Sequence, residues 1–502
     1  MNKTLQVNQD GFIARHQLWN NEQIETVGRI LNMIEEHNLR LIRVAWADQH
    51  GISRAKTLTI PAFLSALEDG IDFNTGPLFF DTANAIVFNP FIKGGGFDLE
   101  ELTGCPNYAL VPDPLTFRVL PWAPQTGWIL CDAYLKTGDP LPFDSRQIAR
   151  KAFKELHEKG YDLYAGLEVE FSLTKIVNDE INPELLGAPG SPAQPPKVRP
   201  VARGYQYQLE AHNDEIDEIL QLIVQNIEDL GLPLRTIEDE WGPSQIEVTF
   251  APMRGIEAAD AMLLFRTAVK QICKRHGYIA TFMCRPSIPG FFSSGWHLHQ
   301  SLIDMKTGEN LFIPEVETES LSVLGKQYVA GILKHARAAT VFTTPTVNGY
   351  KRFKPNSLAP DRAGWGVDNR GTMVRVLGGY GIKSTHFENR AGEPAANPYL
   401  YFSSQIFAGL DGIENRLNPG APSDEAYIDE REAIPKSLQE AIDSLRENRL
   451  FQDKMGKLFV DYIIKMKESE ISRYMAFVEQ EKVEDYQNVV TEWEHREYFE
   501  IF

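Results

Sequence analysis

Residues 166–173 read GLEVEFSL. Successive side chains of an extended chain point to opposite faces, so Glu168 and Glu170 share one face while Leu167, Val169 and Phe171 pack the other. The preceding SRQIARKAFKELHEKG, residues 145–160, opens on a serine cap and closes at Gly160. It predicts a capped amphipathic helix that leads into the strand YAGLEVEFSL. Two neighbouring carboxylates repel, and unless a cation binds, one of them must take up a proton if the pair is buried. A solvated strand face is the competing reading of the pair alone.

Three further segments supply comparable groups. In EDEWGPSQIEVTF, residues 238–250, Glu240 and Glu247 flank a Gly-Pro turn and can converge from its two sides. In SSGWHLHQSL, residues 293–302, His297 and His299 share one strand face, and Trp296 and Leu298 share the other. In HFENRAGEPAANPYL, residues 386–400, Glu388 and Arg390 stand on a common face. Five glutamates and a histidine make a mainly hard-oxygen ligand set, which favours Mg²⁺ or Mn²⁺ over zinc, and paired ions would explain so many carboxylates. Ions beside arginines point to phosphoryl transfer. The arginines are Arg352 in NGYKRFKPN, Arg370 and Arg375 in NRGTMVRV, and Arg390, with Lys383 nearby. Each, alone, also reads as an ordinary surface charge. The stretch GGYGIKST is not a P-loop, because its lysine follows Ile382 and the G-K-[ST] core is absent.

Outward from these segments, 502 residues exceed the usual size of one core, so at least two domains are expected. Residues 1–37 read as a polar arm with one amphipathic helix, on which Ile24, Val27, Ile30, Leu31 and Ile34 recur at helical spacing. Residues 38–141 form a β-rich domain. There LIRVAWADQHGISRAKTLTI, residues 41–60, predicts a hairpin around Gly51, and the punctuating GDPLPFDS marks the boundary. Residues 142–502 make the larger domain, with alternating helices and strands and a mainly helical last hundred residues. Pro183 to Pro200 carry too much proline and glycine for a core element and are expected to form a surface loop.

No apolar run reaches membrane-spanning length and no signal segment opens the chain, which reads as cytoplasmic. Cys105, Cys131, Cys273 and Cys284 lack CxxC spacing and fit reduced thiols. A formal charge of −19 excludes general binding to nucleic acid or to an anionic membrane. If the substrates are anions, local arginines and metal ions must reverse that field inside the site.

Taken together and in this order, the segments resemble the glutamine synthetases. The strand E-x-E, E…PGQ-x-E, GSG-x-H-x-H-x-SL, NSYKR…EAP, NR…IR and E-x-R…ANPYL…GLDGI motifs of that family have counterparts between about Asp48 and Ile413. The resemblance implies an α+β fold, with a small β-grasp-like N-terminal domain and a larger catalytic domain whose antiparallel sheet forms the active-site barrel. It implies that Glu170, Glu240 and Glu247 hold one metal ion and that Glu168, His297 and Glu388 hold the other, with two to three ions per site. His299 and Ser301 would lie near ATP. Arg352 and Arg370 would hold glutamate and the transferring phosphate, and Arg375, Lys383 and Arg390 would contact phosphates. The family assembles its sites between subunits, usually as a dodecamer of two hexameric rings. It phosphorylates the glutamate side chain and then displaces phosphate with an amine.

The chain departs from the family at two anionic positions. Leu358, in KPNSLAP, stands where the family's flap carries the glutamate that helps to deprotonate ammonium. Asn74, in GIDFNTG, stands where an aspartate helps to bind ammonium for the neighbouring subunit. With Tyr205, these residues mark the expected amine site. An apolar Leu358 favours an amine that carries hydrocarbon, each buried carbon contributing about 0.8 kcal/mol. An aromatic amine is already neutral at pH 7 and needs no base. The reading is therefore a γ-glutamylamide synthetase resembling the γ-glutamylanilide synthetases. A glutamine synthetase using ammonium and a non-catalytic structural relative are the alternatives. His386 also replaces an arginine that is common two residues before the metal glutamate.

Overall fold

The hairpin expected around Gly51 forms between β1 (Leu41–Ala47) and β2 (Ser53–Thr59), with Ala47 opposite Ser53. Gly51 takes φ +76°, a conformation open to glycine at little steric cost. This computed structural model describes residues 10–180, 183–428 and 430–502, so the start of the expected N-terminal arm lies outside the described residues. The chain divides into two compact units. The first comprises the described residues to Phe80, Ile86–Gln147 and Gln225–Leu232, and the second comprises Asp81–Ala85, Ile148–Val224 and Pro233–Phe502.

In the first unit, β3 (Ile71–Asn74), β4 (Asn107–Pro112), β5 (Arg118–Val119) and β6 (Thr126–Tyr134) join the hairpin in a sheet of order β2-β1-β6-β4-β3, with β5 on β6. β1 and β6 run parallel, and the remaining pairs are antiparallel. The helix Ile60–Asp69 buries Phe63, Ala66 and Leu67 against β1, β2 and β4, which gives the β-grasp-like arrangement. The helix Asn21–Glu36 opens with a capping box between Asn20 and Gln23. It buries Val27, Ile30 and Ile34 but leaves Ile24 exposed, so the apolar stripe is narrower than its spacing predicts.

In the second unit, β7 (Tyr161–Asn178) is the spine of a ten-stranded sheet. The other strands are β8 (Lys197–Pro200), β9 (Leu234–Asp239), β10 (Gln245–Phe250), β11 (Met253–Arg254), β12 (Tyr278–Thr281), β13 (Trp296–Asp304), β14 (Trp365–Val367), β15 (Val374–Leu377) and β16 (His386–Asn389). The central path runs β14-β15-β16-β13-β7-β10-β9, antiparallel except for β14 on β15. Leu163, Ala165, Leu167, Val169, Phe171 and Leu173 of β7 are all buried. Against that apolar face lies the helix Glu257–Arg275, whose Phe265 meets Phe171 at a ring distance of 6.3 Å. The opposite face of β7 is thereby left for Glu168 and Glu170.

The helix Ser145–Glu158 precedes β7 as expected. The Pro183–Pro200 stretch is mostly exposed, but it is not wholly a loop: Lys197–Pro200 add as β8 to the far end of β7, Thr174 pairing with Pro200. A short strand whose Pro200 lacks an N–H is tolerated at such a position, which the proline count alone does not reveal. Among the described residues no helix is long and apolar enough to cross a membrane.

Candidate active site

Strand register assembles the site. Glu170 of β7 pairs with Glu247 of β10, and Glu168 of β7 pairs with His297 of β13. His299 of β13 pairs with Glu388 of β16, and Glu388 pairs with Arg375 of β15. Directly opposed residues share a sheet face, so segments scattered over more than 200 positions present their side chains together. Glu240 sits in the turn between β9 and β10, where its Oε2 accepts the Trp241 N–H at 3.0 Å.

The contacts are short and interlocked. Glu168 meets His297 Nδ1 at 2.5 Å and His299 Nε2 at 3.0 Å. His299 Nε2 is also 3.4 Å from Glu388 Oε2. Glu388 Oε1 accepts from Arg375 Nη1 and Arg390 Nη1, both at 2.9 Å. Arg352 Nη1 donates to the Arg390 carbonyl at 2.9 Å, and Arg352 Nη2 lies 3.2 Å from His297 Nε2. A Cβ on Gly295 would stand 2.5 Å from that Nη2, so a glycine there is what lets the guanidinium approach. Glu170 Oε2 accepts from Gln245 Nε2 at 2.8 Å and from the Gly295 N–H at 2.9 Å.

Among the described residues, two groupings bring possible metal-ligand atoms within 4.8 Å of one another: Glu168, Glu247 and His297, and Glu168, His299 and Glu388. Glu168 belongs to both, so the groupings cut across the two ligand sets that the resemblance implies and add His299. Glu388 Oε2 is buried and accepts no hydrogen bond, with the His299 and His297 ring nitrogens 3.4 and 3.7 Å away, an arrangement that suits a shared cation. Burial, followed by the charges of Glu168, Glu170 and Glu240, pushes the Glu247 carboxyl up to about 10. Burial pushes Glu170 up to about 7 against the pull of Arg352, and burial also raises Glu240. Burial likewise works against ionised Glu168 and Glu388, but His297, His299 and, for Glu388, Arg390 outweigh it and hold both below the usual range. The carboxylates thus divide into cation-satisfied members and crowded members that need positive charge. That donor set fits divalent cations.

Beside this centre a cavity of about 1300 Å³ is lined by Glu168, His299, Ser301, Arg375, Lys383 and His386, among others. His386 Nε2 is 3.0 Å from His299 Nδ1. Arg370 is exposed, and its carbonyl accepts from Arg390 Nε at 3.2 Å. Leu358 is exposed at φ +58°, its carbonyl accepting from Arg390 Nη2 at 3.1 Å. Tyr205 is exposed and meets His212 edge to face. Asn74 lies in the first unit at the end of β3, its Oδ1 accepting the Gly76 N–H at 2.9 Å. Two contributors escape residue-by-residue reading. Gln245, whose signal is its place in the E…Q-x-E segment, anchors Glu170, and Asp368 pairs with Arg375 without any sequence signal.

The fold presents a carboxylate-floored, arginine-walled centre on an antiparallel sheet, with a donor set that fits divalent cations. A match to the glutamine synthetase catalytic domain spans residues 142–486. The chain belongs to the glutamine synthetase family. It is 46% identical to the gamma-glutamylanilide synthase of Acinetobacter sp. over 98% of this chain and 99% of that one. It is 31% identical to the glutamate–isopropylamine ligase of Pseudomonas sp. over 93% of this chain and 99% of that one. Among solved structures, a GmaS/ADP complex superposes with a TM-score of 0.72 at 25% identity, covering 93% of this chain and 98% of that one.

Proposed function

We propose that the chain is a γ-glutamylamide synthetase that uses ATP to join the γ-carboxylate of L-glutamate to an arylamine such as aniline, through γ-glutamyl phosphate. The observation that carries this reading is the cross-strand meeting of Glu168, Glu170, Glu247, His297 and Glu388. The amine is read from Leu358 and from the likeness to the Acinetobacter and Pseudomonas amine ligases over nearly the whole chain.

Glu170, Glu240 and Glu247 would hold one divalent ion, and Glu168, His297 and Glu388 the other, with His299 within reach of the second. Two to three Mg²⁺ or Mn²⁺ ions suit the oxygen-rich set. When bound, they supply charge neutralisation and orientation for the triphosphate. Ser301, Arg375, Lys383 and His299 line the cavity in which ATP would lie. Arg352, Arg370 and Arg390 would bind glutamate and the transferring phosphoryl group. Arg352 is held for this by two backbone carbonyls, those of Arg390 and Gly392. Such fixed cations stabilise developing charge without reorganising. In the second step the amine nitrogen attacks the γ-carbonyl carbon, phosphate leaves, and the nitrogen loses a proton. An arylamine is neutral at pH 7, so no carboxylate is needed at Leu358 to expose its lone pair.

By the same resemblance the enzyme would be a cytoplasmic dodecamer of two hexameric rings, with Asn74 serving a neighbouring subunit's site. Phosphate release with ATP, Mg²⁺ and glutamate against ammonium, alkylamines, arylamines and polyamines tests the assignment. An arylamine is expected to give the highest kcat/KM, and a preference for ammonium would replace this reading with glutamine synthesis.

A further inference from the structure

Two separate segments pack against the turn that carries Glu240. The Val201 N–H donates to Ser244 Oγ at 2.8 Å and the Tyr205 N–H donates to the Trp241 carbonyl at 3.3 Å. A Cβ on Gly204 would come within 2.5 Å of Pro243 N, so residues 201–208 lie directly against the turn. On the turn's other side, a Cβ on Gly242 would stand 3.0 Å from Phe292 Cβ.

This packing sets out three large aromatic rings. Tyr207 and Trp241 stack with centroids 5.7 Å apart at 27°. Tyr207, Trp241 and Phe292 remain 51%, 48% and 47% exposed, respectively. Aromatic side chains usually contribute by burying most of their area, so a stacked pair left half open beside a third open ring is a surface prepared for another apolar group. Its position says which group. Trp241 directly follows Glu240 and donates its N–H to that carboxylate. Gln245, at the end of the same turn, donates to Glu170 Oε2 at 2.8 Å and to the carbonyl of Ser293, the residue after Phe292, at 3.3 Å. Gln208, next to Tyr207, donates through Nε2 to Glu238 Oε2 on β9, which ties this segment to the acidic side of the turn.

We infer that Tyr207, Trp241 and Phe292 form the surface that receives the aromatic ring of the amine, with Trp241 the residue that separates arylamines from small amines. This rests on the arylamine reading above and supplies the residues that enforce it. A flat ring laid on Trp241 gains stacking and apolar burial that ammonium or hydroxylamine cannot gain. Meanwhile the turn keeps the ring next to the carboxylates where glutamate is activated. The nitrogen then reaches the acyl phosphate from a fixed base, and orientation of that kind raises kcat/KM selectively.

The test uses the full-length assembled enzyme with ATP and glutamate, and compares phosphate release with aniline and with hydroxylamine. In W241A the aniline/hydroxylamine ratio of kcat/KM is expected to fall on the order of tenfold, mainly through a higher KM for aniline, and Y207A is expected to show a smaller fall. W241F, which keeps a stacking face, should retain most of the wild-type ratio. A ratio unmoved in W241A overturns the inference. So does equal loss with both amines, with or without loss of ring assembly by light scattering, because Trp241 would then serve Glu240 or cover a second copy of the chain. A wild type that makes the hydroxamate but no anilide removes the arylamine reading itself, before any variant is compared.

Discussion

Glu247 faces Glu170 across the β7–β10 pair, and burial, followed by the surrounding carboxylates, pushes it up to about 10. Burial and the charges of Glu168, Glu170, Glu240 and Glu238 all work against its ionised form, so that charge does not hold the fold together. Glu247→Ala is therefore expected to fold with an unchanged or higher melting temperature while losing nearly all turnover, because one cation is left without its ligand. Circular dichroism and a phosphate-release assay check the two halves, and near wild-type turnover would remove Glu247 from the centre. Leu358 works in the opposite sense, as an apolar group where charge would suit ammonium. Leu358→Glu should disfavour an amine's hydrocarbon by about 1–3 kcal/mol and raise glutamine formation, further with Asn74→Asp. The measurement is the kcat/KM ratio of aniline to ammonium, and a ratio unmoved by Leu358→Glu would place amine selection elsewhere.

At the scale of elements, the short helical turn Gly349–Arg352 holds Arg352 in place, and the C-terminal helix Glu492–Tyr498 braces that turn. Lys351 Nζ donates to Glu494 Oε2 at 2.5 Å, to the Val489 carbonyl at 2.6 Å and to Tyr474 Oη at 3.0 Å. Asn348 Nδ2 donates to Glu494 Oε1 at 2.8 Å, so both ends of the turn are tied to one buried carboxylate. Removing one partner of a buried pair strands the other charge at a cost of about 3–5 kcal/mol. Lys351→Met should lower the melting temperature measurably and raise the KM for glutamate, since Arg352 is the next residue. Pairing it with Glu494→Leu should recover much of the stability. Calorimetry of the single and double variants decides this, and a double variant no more stable than Lys351→Met alone would show that the pair is not the brace. Sequence alternation found β1, β2, β7 and β13, and periodicity with capping found the helix Ser145–Glu158, but nothing in the local pattern pairs residue 351 with residue 494.

For the whole molecule, the −19 charge and the anionic substrates pull in opposite directions. Screening at physiological salt confines the general field to about 8 Å, so Arg352, Arg375 and Arg390, fixed beside Glu388 and His297, decide the local sign. If Asn74 serves a neighbour's site, activity requires assembly. Light scattering is expected to give a multiple of six subunits, with turnover lost on dilution to monomers. A fully active monomer would overturn the ring assignment.

The sequence alone determined the β1–β2 hairpin, the spine strand and the family, and it named the carboxylates and histidines that the sheet brings together. Each of these is written in short-range alternation or in a motif of fixed spacing. The tertiary structure decided who meets whom. The register of β7 with β10 and β13, and of β13 with β16, makes Glu168 common to both ligand groupings and draws in His299. Packing around the Glu240 turn likewise opens Tyr207, Trp241 and Phe292, which the sequence shows only as scattered aromatics. Alternation states which face a side chain takes, whereas strand order and register, set by burial of the apolar face against the helices, state which neighbour it finds there.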